Sequence, residues 1–371
     1  MSEKNDNKVP NVPNLRFSNN TSPWVDLKIK DILSICHGKD YKHLNPGNIP
    51  VLGTGGIITY VDKYLCDWSC VLIGRKGTID KPQYMSQPFW SVDTLFFSKP
   101  KNNHSPKFQY YLFETIDWNK HNEGSGVPSL SASTIESLRI NIPVLNEQEK
   151  IASFFSKIDD RISTQSKIIS NLESLIKGIR QRIFSASNFD IHNSKEYELG
   201  SFLSEYSKKN IENNLISVSV GKYGIRRRDE IYSKELSDDY SKNKVIEKDS
   251  LIIGMGSTQI DIGILSKDEK YCVSPAYTTY KISGINSDYL REYLIHLNSL
   301  LSKRYMVIGA RQGKSVNKSE LMQHILLVHS IEKQLQVVDI FNAFYDKLQK
   351  EKDILSLYKK QKAYLLSNMF I

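Results

Sequence analysis

The sequence predicts two copies of a compact α/β (α+β) domain, each followed by a long helix. The two helices are expected to pack as an antiparallel coiled coil about a pseudo-twofold internal repeat. Three observations predict this. The chain repeats itself at an offset that only increases, each copy ends in a heptad-spaced apolar stripe, and the segments before the stripes mix short β-type runs with helical patches. A length of 371 residues suits two or three domains of about 150.

The repeat is legible in five ordered matches. Ile29–Ser34 aligns with Leu199–Ser204 at an offset of 170, Val71–Gly74 with Leu251–Gly254 at 180, and Tyr111-Leu112 with Tyr293-Leu294 at 182. Gly124 aligns with Gly309 at 185, and Gln148–Phe155 with Gln334–Phe341 at 186. Small insertions in the second copy explain the growing offset. The expected segments are a first domain over 1–146, a long helix over 147–187, a second domain over 188–330 and a second long helix over 331–371.

Within the domains, Ser69–Ile73, Val92–Phe97, Ile216–Val220, Ser250–Ile253 and Tyr277–Ile282 read as strands. Clusters such as Asn45-Pro46-Gly47-Asn48 and Ser283-Gly284 separate strands as turns. Pro106–Asp117 and Ser287–Met306 read as helices. The long helices are clearer still. From Gln148 to Phe184 there is no proline, and Ile158, Ile162, Ile169, Leu172, Ile176, Ile179 and Ile183 follow a 4-3 spacing with Gln165 as the one polar entry. Shifted by 186, the stripe becomes Phe344, Leu348, Glu351, Leu355, Tyr358, Lys362, Leu365 and Met369. Each helix is roughly 55 Å long at 1.5 Å per residue. The nearest partner for so narrow a stripe is the other copy; a helix lying on its own domain is the alternative, and the regular heptad argues against it.

Composition is that of an ordinary globular protein, with 40% hydrophobic and 25% charged residues. No apolar run approaches the roughly 20 residues of a membrane span, and the polar start MSEKNDNKVPNVPN predicts no signal peptide. Cys36, Cys66, Cys70 and Cys272 make no disulfide framework or zinc spacing, so the expected compartment is cytoplasmic. The net charge of +9 is shared, with 16 basic against 13 acidic residues in 1–144 and 20 against 17 in 191–330. Two mildly basic domains suit two surfaces meeting a polyanion.

Catalytic patterns are missing. Gly53-Thr54-Gly55-Gly56 reads as a tight turn, lacking dinucleotide or phosphate-loop spacing, and Gly74-Arg75-Lys76-Gly77-Thr78 does not open a helix. The eight histidines are scattered, with no paired ligand spacing. Ser274-Pro275-Ala276-Tyr277 is a poor echo of an amino-methyltransferase loop, and Asp261 with Asp268-Glu269-Lys270 reads better as a polar turn than as a nuclease centre. No metal site is expected.

Four stretches resemble the specificity subunit of type I restriction–modification systems, over nearly the whole chain. They are Val12-Pro13-Asn14-Leu15-Arg16-Phe17 with Trp24, Leu72–Gly77, Gly124–Ser131, and Ile142-Pro143-Val144-Leu145-Asn146-Glu147-Gln148-Glu149-Lys150-Ile151-Ala152. The last is the most specific; Leu145 stands where the family has a second proline. The second copy, Val328–Gln334, keeps the glutamine but loses both prolines and the preceding glutamate. The resemblance implies a subunit that is not itself an enzyme. Two target-recognition domains would each read one half of a bipartite double-stranded DNA target, while the helix pair sets the spacer and docks two modification (methyltransferase) subunits. Those subunits would carry S-adenosylmethionine, and restriction subunits would add translocation and cleavage with ATP and Mg2+; a methylation-only system is equally open. A coiled-coil scaffold or decoy without its own readout, or a free-standing methyltransferase, is the rival.

Donor-bearing residues on loops are the candidate DNA contacts, since they match base edges and phosphates. In the first domain these are Thr54, Arg75, Lys76, Thr78 and Ser125. In the second they are Lys222, Arg226, Arg227, Arg228, Ser257, Thr258, Gln259, Arg311, Gln312 and Lys314. The three adjacent arginines are expected to face phosphates.

Overall fold

The computed structural model describes residues 11–18, 20, 22–101, 104–185, 187, 189, 194–221, 224–232, 239–308 and 314–371. The chain divides into two compact units, Met1–Lys167 with Lys352–Ile371, and Ile168–Glu351. Among the described residues no helix is long and apolar enough to cross a membrane.

The first unit contains β1 (Val25–Lys28), α1 (Ile29–Ile32), β2 (Leu33–His37), β3 (Pro46–Gly53), β4 (Gly56–Val61), β5 (Cys70–Gly74) and β6 (Gln83–Met85). There follow β7 (Trp90–Ser91), β8 (Leu95–Pro100), α2 (Pro106–Thr115), α3 (Ala132–Ser137), β9 (Arg139–Ile142) and the start of the long helix α4 (Leu145–Ile183). Its main sheet has the order β2-β8-β5-β6, with the all-buried Cys70-Val71-Leu72-Ile73-Gly74 strand inside. A smaller sheet, β4-β3-β7, includes a parallel pairing of β3 with β7, and β1 pairs with β9.

The second unit contains β10 (Ser194–Glu198), β11 (Leu203–Tyr206), β12 (Ser217–Gly221), β13 (Gly224–Arg227), β14 (Lys244–Ile246), β15 (Ser250–Met255), β16 (Ile260–Leu265) and β17 (Tyr271–Val273). Then come β18 (Thr278–Ile282), α5 (Ser287–Tyr305), β19 (Met306–Ile308), β20 (Lys314–Val316), α6 (Lys318–Met322), β21 (Ile325–His329) and the long helix α7 (Ile331–Met369). The topology of the first unit returns, with one strand, β14, added to the smaller sheet and a β19–β20 pair besides. The main sheet runs β11-β18-β15-β16, the smaller one pairs β12 in parallel with β17, and β10 pairs with β21. The sequence repeat is therefore a structural duplication.

Local chemistry explains the element boundaries. Ser105 accepts the Phe108 amide (3.3 Å) at the start of α2, whose first residue is proline, and Asn286 accepts the Tyr289 amide (3.0 Å) at the start of α5. The expected strand Val92–Phe97 is broken. Trp90–Ser91 belongs to the smaller sheet, the chain turns over Val92–Thr94, and β8 begins at Leu95, with Ser91 Oγ donating to the Leu95 carbonyl at 2.8 Å. The first long helix starts at Leu145, because the Val144 carbonyl already accepts the amides of Glu147 and Gln148.

Each long helix has 39 residues, about 58 Å. All eight positions of the first stripe are buried or half-buried, whereas between Asp160 and Gly178 every residue off the stripe is exposed. The second stripe behaves alike, with Ile354 the one half-buried residue off it between Asp346 and Tyr364. In the first unit Phe155, Ile158 and Ile162, early in α4, share a core with Leu365, Met369 and Phe370, at the end of α7. In the second unit Arg180, late in α4, meets Phe341 and Tyr345, early in α7. Both contacts require an antiparallel pair.

Candidate nucleic-acid interface

In the first unit the candidate residues converge on three linked loops. Thr54 lies in the β3–β4 turn, where Gln83 Nε2 donates to the Gly53 and Thr54 carbonyls (3.2 and 3.4 Å). A side chain added to Gly77 would come 3.7 Å from Thr54 Oγ1, which brings the 75–78 turn beside the hairpin tip. That turn is in turn laced to the 124–130 loop. Lys76 bridges Ser129, the Gly77 amide donates to the Pro128 carbonyl (2.8 Å), and the Leu130 amide donates to that of Arg75 (2.9 Å). Lys76 and Ser125 are exposed, Thr54 and Thr78 half-buried. Arg75 turns toward its own domain, donating to the Asp93 carbonyl and lying 6.0 Å from the Phe96 ring.

The second unit repeats the lacing with different groups. Ser257, Thr258 and Gln259 form the β15–β16 turn, closed by the Gly256 amide on the Gln259 carbonyl (3.1 Å), and Lys314 Nζ donates to the Ser257 carbonyl at 2.5 Å. Burial beneath this turn pushes the Asp261 carboxyl up. Lys222, Arg311 and Gln312 lie outside the described residues. The three arginines do not share one face: Arg226 and Arg227 point to opposite sides of β13, and Arg228 follows the strand. Arg226 is exposed; Arg227 forms a forked pair with Asp229 (3.1 and 2.6 Å); Arg228 lies 5.3 Å from the Tyr232 ring. Arg226, Arg227 and Gln259 share the wall of a groove of about 1490 Å³ with Lys177, Lys267 and Arg291. The sequence reading did not single out those last three residues, since they are far apart along the chain. Among the described residues there is no cluster of histidine, cysteine or acidic side chains suited to a metal ion. Cys66 and Cys70 are buried free thiols with Sγ atoms 3.9 Å apart.

The most specific motif proves to be a junction. Gln148 Oε1 accepts the Ser105 amide (3.0 Å) while its Nε2 donates to the Pro143 carbonyl (2.8 Å). Gln334 repeats this with the Asn286 amide (3.0 Å) and the His329 carbonyl (2.9 Å). The glutamine thus ties the start of a long helix to the cap of its domain helix in both copies. The buried Glu147 takes a forked pair from Arg16, both distances 2.7 Å, which links the first and last of the four resembling stretches. Lys333, at the matching place, is exposed and has no such partner.

A family model described as "Type I restriction modification DNA specificity domain" matches residues 21–174. In sequence and in fold the chain is similar to type I specificity subunits. The chain is 22% identical over 307 residues to the putative type I restriction enzyme MjaX specificity subunit of Methanocaldococcus jannaschii, covering 76% of this chain and 71% of that one. It is 28% identical over 101 residues to the MjaVIII specificity subunit of the same organism, covering 27% of this chain and 24%, about a quarter, of that relative. A solved S subunit of a type I restriction-modification system from M. genitalium superposes with a TM-score of 0.62 at 15% identity, over 97% of this chain and 99% of that one. A chain from a structural study of complex assembly and conformational transition of the type I R-M system gives 0.57 at 12%, over 93% and 97%. The duplicated fold with its helix pair is the fold of these S subunits.

Proposed function

We propose that this chain is the non-catalytic sequence-reading subunit of a type I restriction–modification complex. One observation carries the reading: the same sheets and laced loops occur twice, once in each unit, with a long helix running from each copy's last strand. Each copy reads one half of a bipartite double-stranded DNA target through its laced loops. The antiparallel helices, about 58 Å long, exceed the roughly 34 Å helical repeat of the duplex and so are long enough to set the spacer between two readers. Two modification subunits dock on the helix pair and bring S-adenosylmethionine; restriction subunits, where the system has them, bring ATP and Mg2+. Assembly on host DNA places the complex in the cytoplasm.

The test is co-expression with the cognate modification subunit, followed by sequencing of methylated adenines in the host DNA. The expected result is one bipartite motif, half of which changes when residues 191–330 are exchanged for another second domain. A stable complex that methylates no motif would overturn the reading in favour of a scaffold or decoy.

A further inference from the structure

The two units share a hairpin whose chemistry differs between them. β3–β4 and β12–β13 both close on a glycine pair, Gly53 opposite Gly56 and Gly221 opposite Gly224. The second strand opens each time on a glycine with left-handed backbone, φ 109° at Gly56 and 78° at Gly224. Beyond the turn the sequences diverge. The second unit continues Ile225-Arg226-Arg227, the first Ile57-Ile58-Thr59-Tyr60. In the first hairpin the register slips between Val51 and Leu52, which leaves Ile58 as an extra residue on β4. Ile58 folds over Gly53, where an added side chain would come 2.8 Å from its Cδ1. Even so, Ile57, Ile58 and Tyr60 remain 56%, 53% and 50% exposed.

We propose that the first hairpin reads thymine methyl groups in the major groove, so that the half-site of the first domain contains A·T pairs recognised by apolar contact. This rests on the DNA reading proposed above. A hairpin that presents arginine in one copy suits a polyanion. The same hairpin presenting isoleucine in the other copy cannot pair with phosphates, and the thymine methyl is the one apolar group that a base pair shows in the major groove. The adjoining tip supplies polar neighbours, Thr54 and Lys76, for the remaining base-edge and phosphate atoms.

The experiment uses the complete complex with its modification subunits and a duplex carrying the target found from methylated adenines. The half belonging to the first domain is the half that survives exchange of residues 191–330. Replacing its thymines by deoxyuridine, which removes only the methyl, is expected to weaken binding about fourfold for each contacted thymine, the worth of one buried methyl-sized group. In an Ile58→Ser complex the two duplexes should bind alike. Equal binding of both duplexes by the unsubstituted complex, or a first half without thymine, would overturn the proposal while leaving the DNA reading intact. Loss of the modification subunits from the Ile58→Ser protein would overturn it in favour of a protein-docking face. Absence of any bipartite target would remove both.

Discussion

The two domain–helix junctions solve one packing problem with one shared device and several private ones. The shared device is the glutamine tie, Gln148 in the first unit and Gln334 in the second, with near-identical partners and distances. The private devices are charged. In the first unit Lys362 of α7 reaches Asp159 and Glu114, each at 2.8 Å, between the Tyr110 and Tyr111 rings. In the second, Arg180 of α4 reaches the fully buried Glu292 (2.9 and 2.8 Å), Tyr345 bonds both, and Arg291 joins at 3.2 Å. Burial, first, and Glu292, second, push the Tyr345 hydroxyl up to about 12. The backbone tie survives duplication because it needs only an amide and a carbonyl, which every residue offers. Ion pairs need two matched side chains, so the copies found different ones.

Four substitutions would break or sharpen this contrast. The largest effect is expected from Glu292→Ala, which removes the carboxylate that Arg180, Arg291 and Tyr345 share and leaves a buried hole. It should cost about 4 kcal/mol in urea unfolding of the full chain, and a loss below about 1 would mean that the network does not hold the junction. Gln148→Ala and Gln334→Ala should each cost about 1–3 kcal/mol, because each leaves a buried amide and carbonyl unpaired. Equal losses would support one shared device; a large loss at one site alone would break the comparison. Lys362→Met should be smallest, about 1 kcal/mol: it leaves Asp159 and Glu114 without their ammonium, but both carboxylates are partly exposed and can turn to water. Its pH signature is sharper. Burial pulls the Lys362 ammonium down, but hydrogen bonds to Asp159 and Glu114 outweigh it and the net shift is upward. A raised folded-state value means that the stabilisation is complete below the ordinary lysine range, near 10.4, and fades as pH rises above it. The parent protein should lose stability there more steeply than Lys362→Met.

Much of this architecture is legible from residues alone. The 4-3 stripe foretold both helices and their pairing because a period in sequence is a face in space. The repeat showed itself through apolar strands and the glutamine, whose surroundings tolerate little change. The private ion pairs were invisible because their members lie far apart along the chain, Arg180 from Glu292 by 112 positions and Lys362 from Glu114 by 248. The hairpin equivalence hid for another reason. Only its glycines and the isoleucine after them are shared, at an offset of 168 that falls outside the rising series of the other matches. Among the candidate contacts, residue type identified the loops, but the partners that occupy Arg75, Arg227 and Arg228 come from strand alternation and neighbouring turns.

The division of the chain between the units has a consequence for its birth on the ribosome. The second unit is one continuous stretch, Ile168–Glu351, whereas the first needs Lys352–Ile371 to complete it. Phe370 sits against Trp24, Phe108 and Phe155 in the core of the first unit. At about 5–20 residues per second, roughly 10–40 seconds separate the synthesis of Lys167 from that of Ile371. The domain that is made first is therefore finished last. Its aromatic core waits, incompletely covered, for the segment that closes it.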